Sequence, residues 1–588
     1  MIMFSHLRRR WPFVAVAVGL ALYLLLSGFD LPRGFDWDRA NLQNAFRVLL
    51  TLLAVHATLV AWLTIIHKYA FPLELETALL CLIVLLGLSG MVAFWVYWCD
   101  ADLGKALSLA FALASLAVLL LDFHRAVRSH LRVANATILP VTTYVFFILL
   151  VGFYPFHQIG AAEAANRWLE LPIDNAIPRI FADQLRHGNV TAPMFGDWHS
   201  SDRPPLQTGL YLLMHHRGEL RYQVVSSALQ ALVLLPCLLL VRRLGYSALA
   251  PLATMAIGLT SLMAVHTLYV WPKLISAAYV LIFYHLTMTS TVETLPRRIW
   301  IPLAGSSATL AMLSHGGAIF ALAVIAGAHA LRYRQHFWRD TMPAGMLSIG
   351  LYLPWILYQR LVDPPGTRLA KWHLAGMIAP NDLSVAQAIV GAYGALGFGD
   401  WVEGRIANLK MVFAGSSRFL YELVALIGDP GLTLQMFRGS IIRGSFFETF
   451  YSLWLFSPVV VVILWIAARG WRKAPLGRDV IWLLVTSLST LLMWCFMMFI
   501  PGSAVIHQGS FFPWISLFLL SAIITWQLSA SLFLAMTVLN VIVFIITYCS
   551  EPRAATLGTD MTFLGLTIMS ILAFVAACNY GARQLKPG

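Results

Sequence analysis

The sequence predicts an all-α, polytopic membrane protein. Of its 588 residues, 59% are hydrophobic and only 11% charged. Mean hydropathy is +0.76, and apolar runs recur at the length of a bilayer crossing. A typical soluble domain is about 25% charged, and a helix needs about 20 apolar residues to cross the hydrocarbon while closing its own backbone hydrogen bonds. A soluble globular class is therefore excluded. The 20 Trp and 35 Phe suit a chain whose solvent is mostly lipid.

Hydrophobic windows place about sixteen spans, near residues 11–28, 43–66, 76–98, 104–122, 137–156, 222–241, 247–266, 273–290, 300–314, 317–331, 341–357, 448–467, 479–500, 511–526, 530–548 and 562–579. The formal net charge of +13 would suggest nucleic acid in a soluble domain. Here it reads as topology, and no nucleic-acid partner is expected. With the N-terminus inside, twenty cations fall in inside loops and tails, from Arg8, Arg9 and Arg10 through Arg242 and Arg243 to Arg583 and Lys586. The short outside loops hold only Arg33, Arg39, Lys273 and Arg553. This is the positive-inside asymmetry, and it places both termini in the cytoplasm. The first apolar run follows basic residues as a signal peptide would. It ends Leu-Ser-Gly-Phe-Asp, without a small-x-small cleavage site, and is read as an uncleaved span. The six cysteines (Cys81, Cys99, Cys237, Cys495, Cys549, Cys578) lie in or beside spans without CxxC spacing, which argues against a disulfide framework or a zinc site.

Two outside segments, about 157–221 and about 358–447, are too long for simple connections. Both alternate apolar and polar residues, as in Ser384 to Leu396 and Phe419 to Leu432, and predict short amphipathic helices at the membrane interface. The first segment opens with Leu171-Pro-Ile-Asp174-Asn175 and passes through an amphipathic stretch, Ile177 to Leu185. It closes with Asp197-Trp-His-Ser-Ser-Asp202-Arg203-Pro204-Pro205-Leu206.

This arrangement resembles the lipid-linked-sugar glycosyltransferases of the C-type fold (GT-C), specifically the branch containing the bacterial aminoarabinose transferase and the protein O-mannosyltransferases. In that branch an acid, usually followed by a second, opens the first large outside loop, and an acid-base-Pro-Pro-Leu string closes it. Asp174 matches the first acid and Asn175 stands in place of the second. Asp202-Arg203-Pro204-Pro205-Leu206 matches the closing string, with Arg for the more usual Lys. The intervening Arg186-His-Gly-Asn-Val-Thr-Ala-Pro-Met resembles the family's Ser-Gly-Asp-Trp-Val-Thr-Pro pattern. The likeness covers roughly 45 residues and is only topological elsewhere.

The resemblance implies residues 135–357 as a conserved module of seven spans carrying the motif loop 157–221. An extra module of four spans (1–134) precedes it; a second periplasmic loop (358–447) and a C-terminal module of about five spans (448–588) follow. Where the family often places an acid at the outside end of the fourth module span, this chain reads His266-Thr-Leu-Tyr269-Val-Trp271-Pro272-Lys273. With Asn175 also replacing a carboxylate, few hard oxygen ligands remain for a divalent cation. A metal-independent site without a cofactor is the expectation.

A sugar on a polyprenyl phosphate has an anionic leaving group. Its transfer needs a carboxylate to take the acceptor's proton and cations to stabilise the departing phosphate. The resemblance implies Asp174 as general base, Asp202 as the second catalytic carboxylate, and Asn175 at the substrate. Arg203, by its fork, and Lys273, as a point charge, are the expected phosphate partners. As structural alternatives, Asp174 would cap an interfacial helix, and Arg203 and Lys273 would anchor in lipid headgroups. The second segment begins with Arg360, Arg368, Lys371 and His373 within fourteen residues beside aromatics. These are expected to meet the carrier phosphate or an acidic glycan, the alternative being a solvated basic turn. His315 in Leu-Ser-His-Gly-Gly and His507 in His-Gln-Gly-Ser fall where spans meet the outside, as substrate contacts or structural hydrogen-bonding groups.

The expected function is thus an integral glycosyltransferase of the bacterial inner membrane. It would take a sugar from a polyprenyl-phosphate carrier on the periplasmic face and attach it to a glycan, lipid or protein. A transporter or flippase for lipid-linked oligosaccharide, or a glycan polymerase, is the alternative. Transporters usually show paired repeats and ionisable residues at mid-membrane, and this sequence shows no internal repeat.

Overall fold

The computed structural model describes residues 37–69, 73–121, 128–188, 198–364, 366–413, 415, 418–428, 434–447, 450–468, 476–502, 511–549 and 561–585. Among them the architecture is helical, with no strand. Eight helices are long and apolar enough to cross a membrane: Asn41–Lys68, Leu75–Cys99, Ala101–Leu120, His130–Phe153, Glu219–Arg243, Arg478–Met497, Ala530–Tyr548 and Thr562–Gln584. A ninth arises if the bent pair Ala250–Gly258 and Ser261–Tyr269, which meet at 61°, counts as one span. This is the architecture of a multi-pass helical membrane protein.

The expected span at 11–28 lies outside the described residues. Other expected spans take form as shorter helices, among them Lys273–Met288, Ala318–Arg332 and Phe512–Leu528. The 16 residues of Lys273–Met288 rise only about 24 Å, less than the roughly 30 Å hydrocarbon core. Arg297–Ser314 and Met342–Leu361 carry Pro302 and Pro354 in their interiors.

Glu219–Arg243 runs through the middle of the bundle, its apolar window wholly buried. Its first half packs on the Trp37–Tyr69, Arg128–Phe153 and Ser261–Tyr269 helices. Ala101–Leu121 by contrast turns Leu103, Leu109, Leu113 and Leu120 outward, as a lipid-facing helix does.

The first of the two long segments that the sequence reading expects outside folds back onto this bundle. Its amphipathic stretch forms the helix Ile177–Arg186, with Pro178 in the first turn and Ile177, Phe181, Ala182 and Leu185 buried. That helix packs on Leu206–Leu213, which begins directly after Pro204-Pro205. Leu206–Leu213 in turn lies against Leu75–Cys99 at near-backbone contact. A Cβ on Gly209 would fall on the Gly90 carbonyl oxygen, so only glycine allows this approach. A helix from residues 1–134 therefore forms part of the seat of the motif.

The second outside segment forms the helices Arg368–Ala375, Val385–Gly394, Phe398–Phe413, Arg418–Gly428 and Leu434–Phe447. Ser384 and Gln387 build a reciprocal cap at the start of Val385–Gly394. Val390, Phe398, Ile406, Tyr421 and Val424 point outward, an apolar surface suited to an interface. Arg405 and Asn408 hold the segment to the bundle by donating to the Phe496, Phe499, Cys495 and Met498 carbonyls. Two of them, Cys495 and Phe496, are carbonyls that the last turn of the Arg478–Met497 helix leaves without a partner inside the helix.

Candidate functional site

Asp174 sits in a single 3-10 turn, Ile173–Ala176, just before the Ile177–Arg186 helix, and is 9% exposed. One carboxylate oxygen is paired with the Arg203 guanidinium. The other is 2.8 Å from the Tyr269 hydroxyl, which also lies 2.5 Å from the Pro172 carbonyl. A phenol has one proton, so Tyr269 can donate to only one of the two at a time. The Asn175 amide donates to the Ala161 and Tyr269 carbonyls (2.9 and 3.0 Å), and the Asn175 carbonyl accepts from Tyr222 (2.7 Å). Gln207 completes this frame by donating to the Tyr222 hydroxyl and the Val270 carbonyl, both at 3.0 Å. Val270 is held in the left-handed region (φ 55°), a costly conformation for a β-branched residue. It reverses the chain so that Trp271 and Lys273 return to Asp174.

Cations and aromatic rings then alternate across the site. Arg368 and Arg203 lie on the Trp198 ring, each 4.7 Å from its centroid. Arg203 is also 5.5 Å from the Trp271 ring; the Lys273 ammonium sits 4.0 Å over Trp271 and 5.1 Å from Phe511. Ring quadrupoles stabilise desolvated cations, which suits Lys273 at 1% exposure. Arg203 Nε is buried and has no acceptor among the described residues.

Next to Arg203 a cavity of about 280 Å³ opens, lined by Asp202, Arg203, His315 and His373 on its polar side. Phe320, Tyr352, Trp355 and Leu374 form an apolar side that continues to Ile319, an outward-facing residue. Asp202 accepts from the His199 amide at 2.9 Å and lies 3.7 Å from Arg368. Burial pushes its carboxyl up, against the opposing pull of that amide and of Arg368. Burial, with Lys273 and Arg203 nearby, holds the His373 imidazole down at about 3. His373 is therefore a neutral ring near neutral pH. His315 Nδ1 accepts from the Gly317 amide at 3.2 Å, a turn contact at the end of Arg297–Ser314.

One carboxylate unassigned from the sequence ties the two outside segments together. Asp363 accepts from His199 Nδ1 (3.0 Å), the Ser200 hydroxyl (2.5 Å) and the Ser201 amide (2.9 Å). Ser200 also meets the Tyr358 hydroxyl at 2.7 Å, and Gln359 donates to the Ser201 carbonyl at 3.1 Å. Ser200 and His199 both bind Asp363, so this is a clamp and not a nucleophile–base relay. Hydrogen bonds from Ser200, His199 and Ser201 outweigh the upward push of burial and leave the Asp363 carboxyl below the usual range.

The basic cluster of the second segment separates in three dimensions. Arg368 lies beside Asp202 and Trp198, whereas Arg360 is exposed, and neither lines the cavity itself. The Lys371 ammonium donates to the Asn381 carbonyl, the Asn381 side chain and the Leu383 carbonyl (2.6, 2.9 and 3.1 Å). It secures its own loop. With His373 neutral, Arg368 alone of the four brings a charge to the Asp202 side of the cavity. His507 lies outside the described residues. Among the described residues, no three His, Cys, Asp or Glu side chains converge as a metal-holding group.

Sequence reasoning left Tyr269, Trp198, Trp271 and Asp363 without roles. The signals were slight: an aromatic beside each motif cation, and an acid directly before Pro364-Pro365. No protein-family model matches the chain, and neither the curated proteins nor the solved structures searched contain a match.

Proposed function

We propose that the chain is an integral-membrane glycosyltransferase with a GT-C-like fold of about sixteen spans. On this reading it works in a bacterial inner membrane, with its termini in the cytoplasm and its site on the periplasmic face. It moves a sugar from a polyprenyl phosphate to a glycan, lipid or protein, without a metal. The observation that carries the reading is the Asp174–Arg203 pair beside a cavity whose far wall is apolar and runs out to Ile319. A lipid-tailed phosphate fits such a wall, with its tail in the hydrocarbon and its head at the Arg203 guanidinium.

In the reaction, an acceptor oxygen forms a bond to the anomeric carbon as the bond from that carbon to the phosphate oxygen breaks. The electron pair leaves with the phosphate, and the acceptor's proton passes to a carboxylate. Arg203, whose buried Nε has no acceptor among the described residues, stabilises the departing charge. A phosphate drawing Arg203 toward itself also loosens its pairing with Asp174, which frees a carboxylate oxygen for the acceptor's hydroxyl. Tyr269 keeps Asp174 oriented throughout. The second candidate base is Asp202, favoured because it lines the cavity and burial raises its carboxyl.

Reconstituted protein assayed with a polyprenyl-phosphate sugar tests the assignment. Asp174→Asn should abolish transfer and retain carrier binding, while Asp202→Asn should keep measurable transfer. Full transfer by Asp174→Asn would refute Asp174 as base.

A further inference from the structure

The Lys273–Met288 and Arg297–Ser314 helices join two cavities. Pro272 and Ser314, at one end of the pair, line the cavity beside Arg203; His285 and Arg298, at the other, line a second cavity of about 270 Å³. The charge asymmetry assigns that second end to the cytoplasm. Glu74 and Glu76 at the start of Leu75–Cys99, Arg243 at the end of Leu234–Arg243, and Thr294 belong to its polar lining. Two atoms of this lining have no hydrogen-bond partner among the described residues: Arg243 Nε and His285 Nδ1, the latter on a side chain only 3% exposed. Buried polar groups are ordinarily satisfied, so these two nitrogens suit a polar ligand.

The charges identify what kind. Glu76 is paired with Arg242 at 2.9 Å, and among the described residues Arg243 donates to the Thr294 hydroxyl, at 3.3 Å. Arg243, Arg298 and Glu74 in one lining give a field of both signs. A simple anion would be repelled by Glu74, and a simple cation by the two guanidinium groups. Leu73, Leu295 and Ile299 add an apolar margin at the level of the helix ends.

We propose that this cavity binds the phosphoethanolamine headgroup of a membrane lipid, its phosphate on Arg243 and His285 and its ammonium on Glu74. His285 Nδ1 can donate to a phosphate oxygen in one neutral tautomer. The ammonium matters because it can donate hydrogen bonds to Glu74, which a quaternary amine cannot. This site is separate from the proposed transfer chemistry.

Thermal-shift titration of the full-length protein in detergent tests it, with dioleoyl phosphatidylethanolamine, phosphatidylcholine, phosphatidylglycerol and soluble glycerophosphoethanolamine as probes. A ligand bound only by the folded state raises apparent stability by mass action. Phosphatidylethanolamine should saturate at a concentration at least tenfold lower than the other three. Arg243→Gln should weaken it at least tenfold, and Glu74→Gln, at an exposed position, should erase the preference over phosphatidylglycerol. Should Arg243→Gln fail to fold, Glu74→Gln decides. Equal stabilisation by all three lipids, or an unchanged preference in Glu74→Gln, overturns the proposal. A soluble headgroup as effective as the lipid overturns it in favour of a soluble phosphoester.

Discussion

Asp363→Ala should loosen the junction between the two outside segments while leaving the bundle intact. The wild-type carboxylate accepts three hydrogen bonds from residues 162 to 164 positions away in the chain. Its removal leaves the Ser200 hydroxyl with Tyr358, but strips the buried Ser201 amide of its acceptor. Hydrogen bonds to a charged group contribute about 1.5–3 kcal/mol each, and a stranded buried donor costs about 1–3 kcal/mol. The contributions overlap, so the local cost is about 3–5 kcal/mol, as for a broken buried ionic contact. Asp363→Asn keeps one acceptor oxygen for Ser200 and Ser201, and His199 can meet the amide by changing tautomer, so its cost is about 1 kcal/mol.

Hydrogen–deuterium exchange over residues 198–203 reads the difference, because local opening limits exchange there. The Ala variant should exchange about a hundredfold faster or more, and the Asn variant no more than about tenfold faster. The pH dependence has a definite sign. A carboxyl held below its ordinary value stabilises fully above the unfolded range, about pH 4, and that stabilisation is lost only as pH falls through the lower folded value. The clamp should thus persist at pH 5. Wild-type exchange in Asp363→Ala, or an Asn variant as loose as the Ala variant, would refute this reasoning.

Asn175→Asp, the substitution toward the usual family pattern, should destabilise the protein. The amide donates to two buried carbonyls, and a carboxylate there would face acceptors only, at a cost of about 3 kcal/mol or more. A melting temperature equal to wild type would contradict this. Lys371→Ala should release the loop that its ammonium holds at Asn381 and Leu383, seen as faster proteolysis within residues 376–384. Carrier affinity should stay within about twofold; a larger loss would return Lys371 to the phosphate site. Tyr269→Phe removes a donor to the Asp174 carboxylate, worth about 1.5–3 kcal/mol, and should lower the transfer rate about tenfold or more with carrier affinity preserved. An unchanged rate would remove Tyr269 from the site.

The helical membrane class was legible because apolar runs and charge asymmetry are properties of local sequence. So were the Ile177–Arg186 and Val385–Gly394 helices, from the alternation of apolar and polar residues. The number of crossings was less legible. Hydropathy windows register an apolar run, but not that Ala250–Tyr269 bends by 61° at its middle or that Lys273–Met288 is short and enclosed by other helices. Asp174 and Arg203 were legible as motif charges and not as a pair, since contact across 29 residues depends on Leu206–Leu213 seating against Gly90. Asp363 was illegible for the same reason at greater range. The second basic cluster divides because neighbours in sequence take different directions on a short helix. Arg368 reaches Trp198, whereas Lys371 turns back to its own loop.

The central claim is that Arg203 receives a lipid phosphate. Undecaprenyl phosphate titrated into detergent-purified protein, with EDTA throughout, tests it most directly by thermal shift in wild type and Arg203→Ala. The account predicts saturable stabilisation of the wild type and at least a tenfold loss of apparent affinity in the variant. No stabilisation of either protein, or equal stabilisation of both, would contradict it.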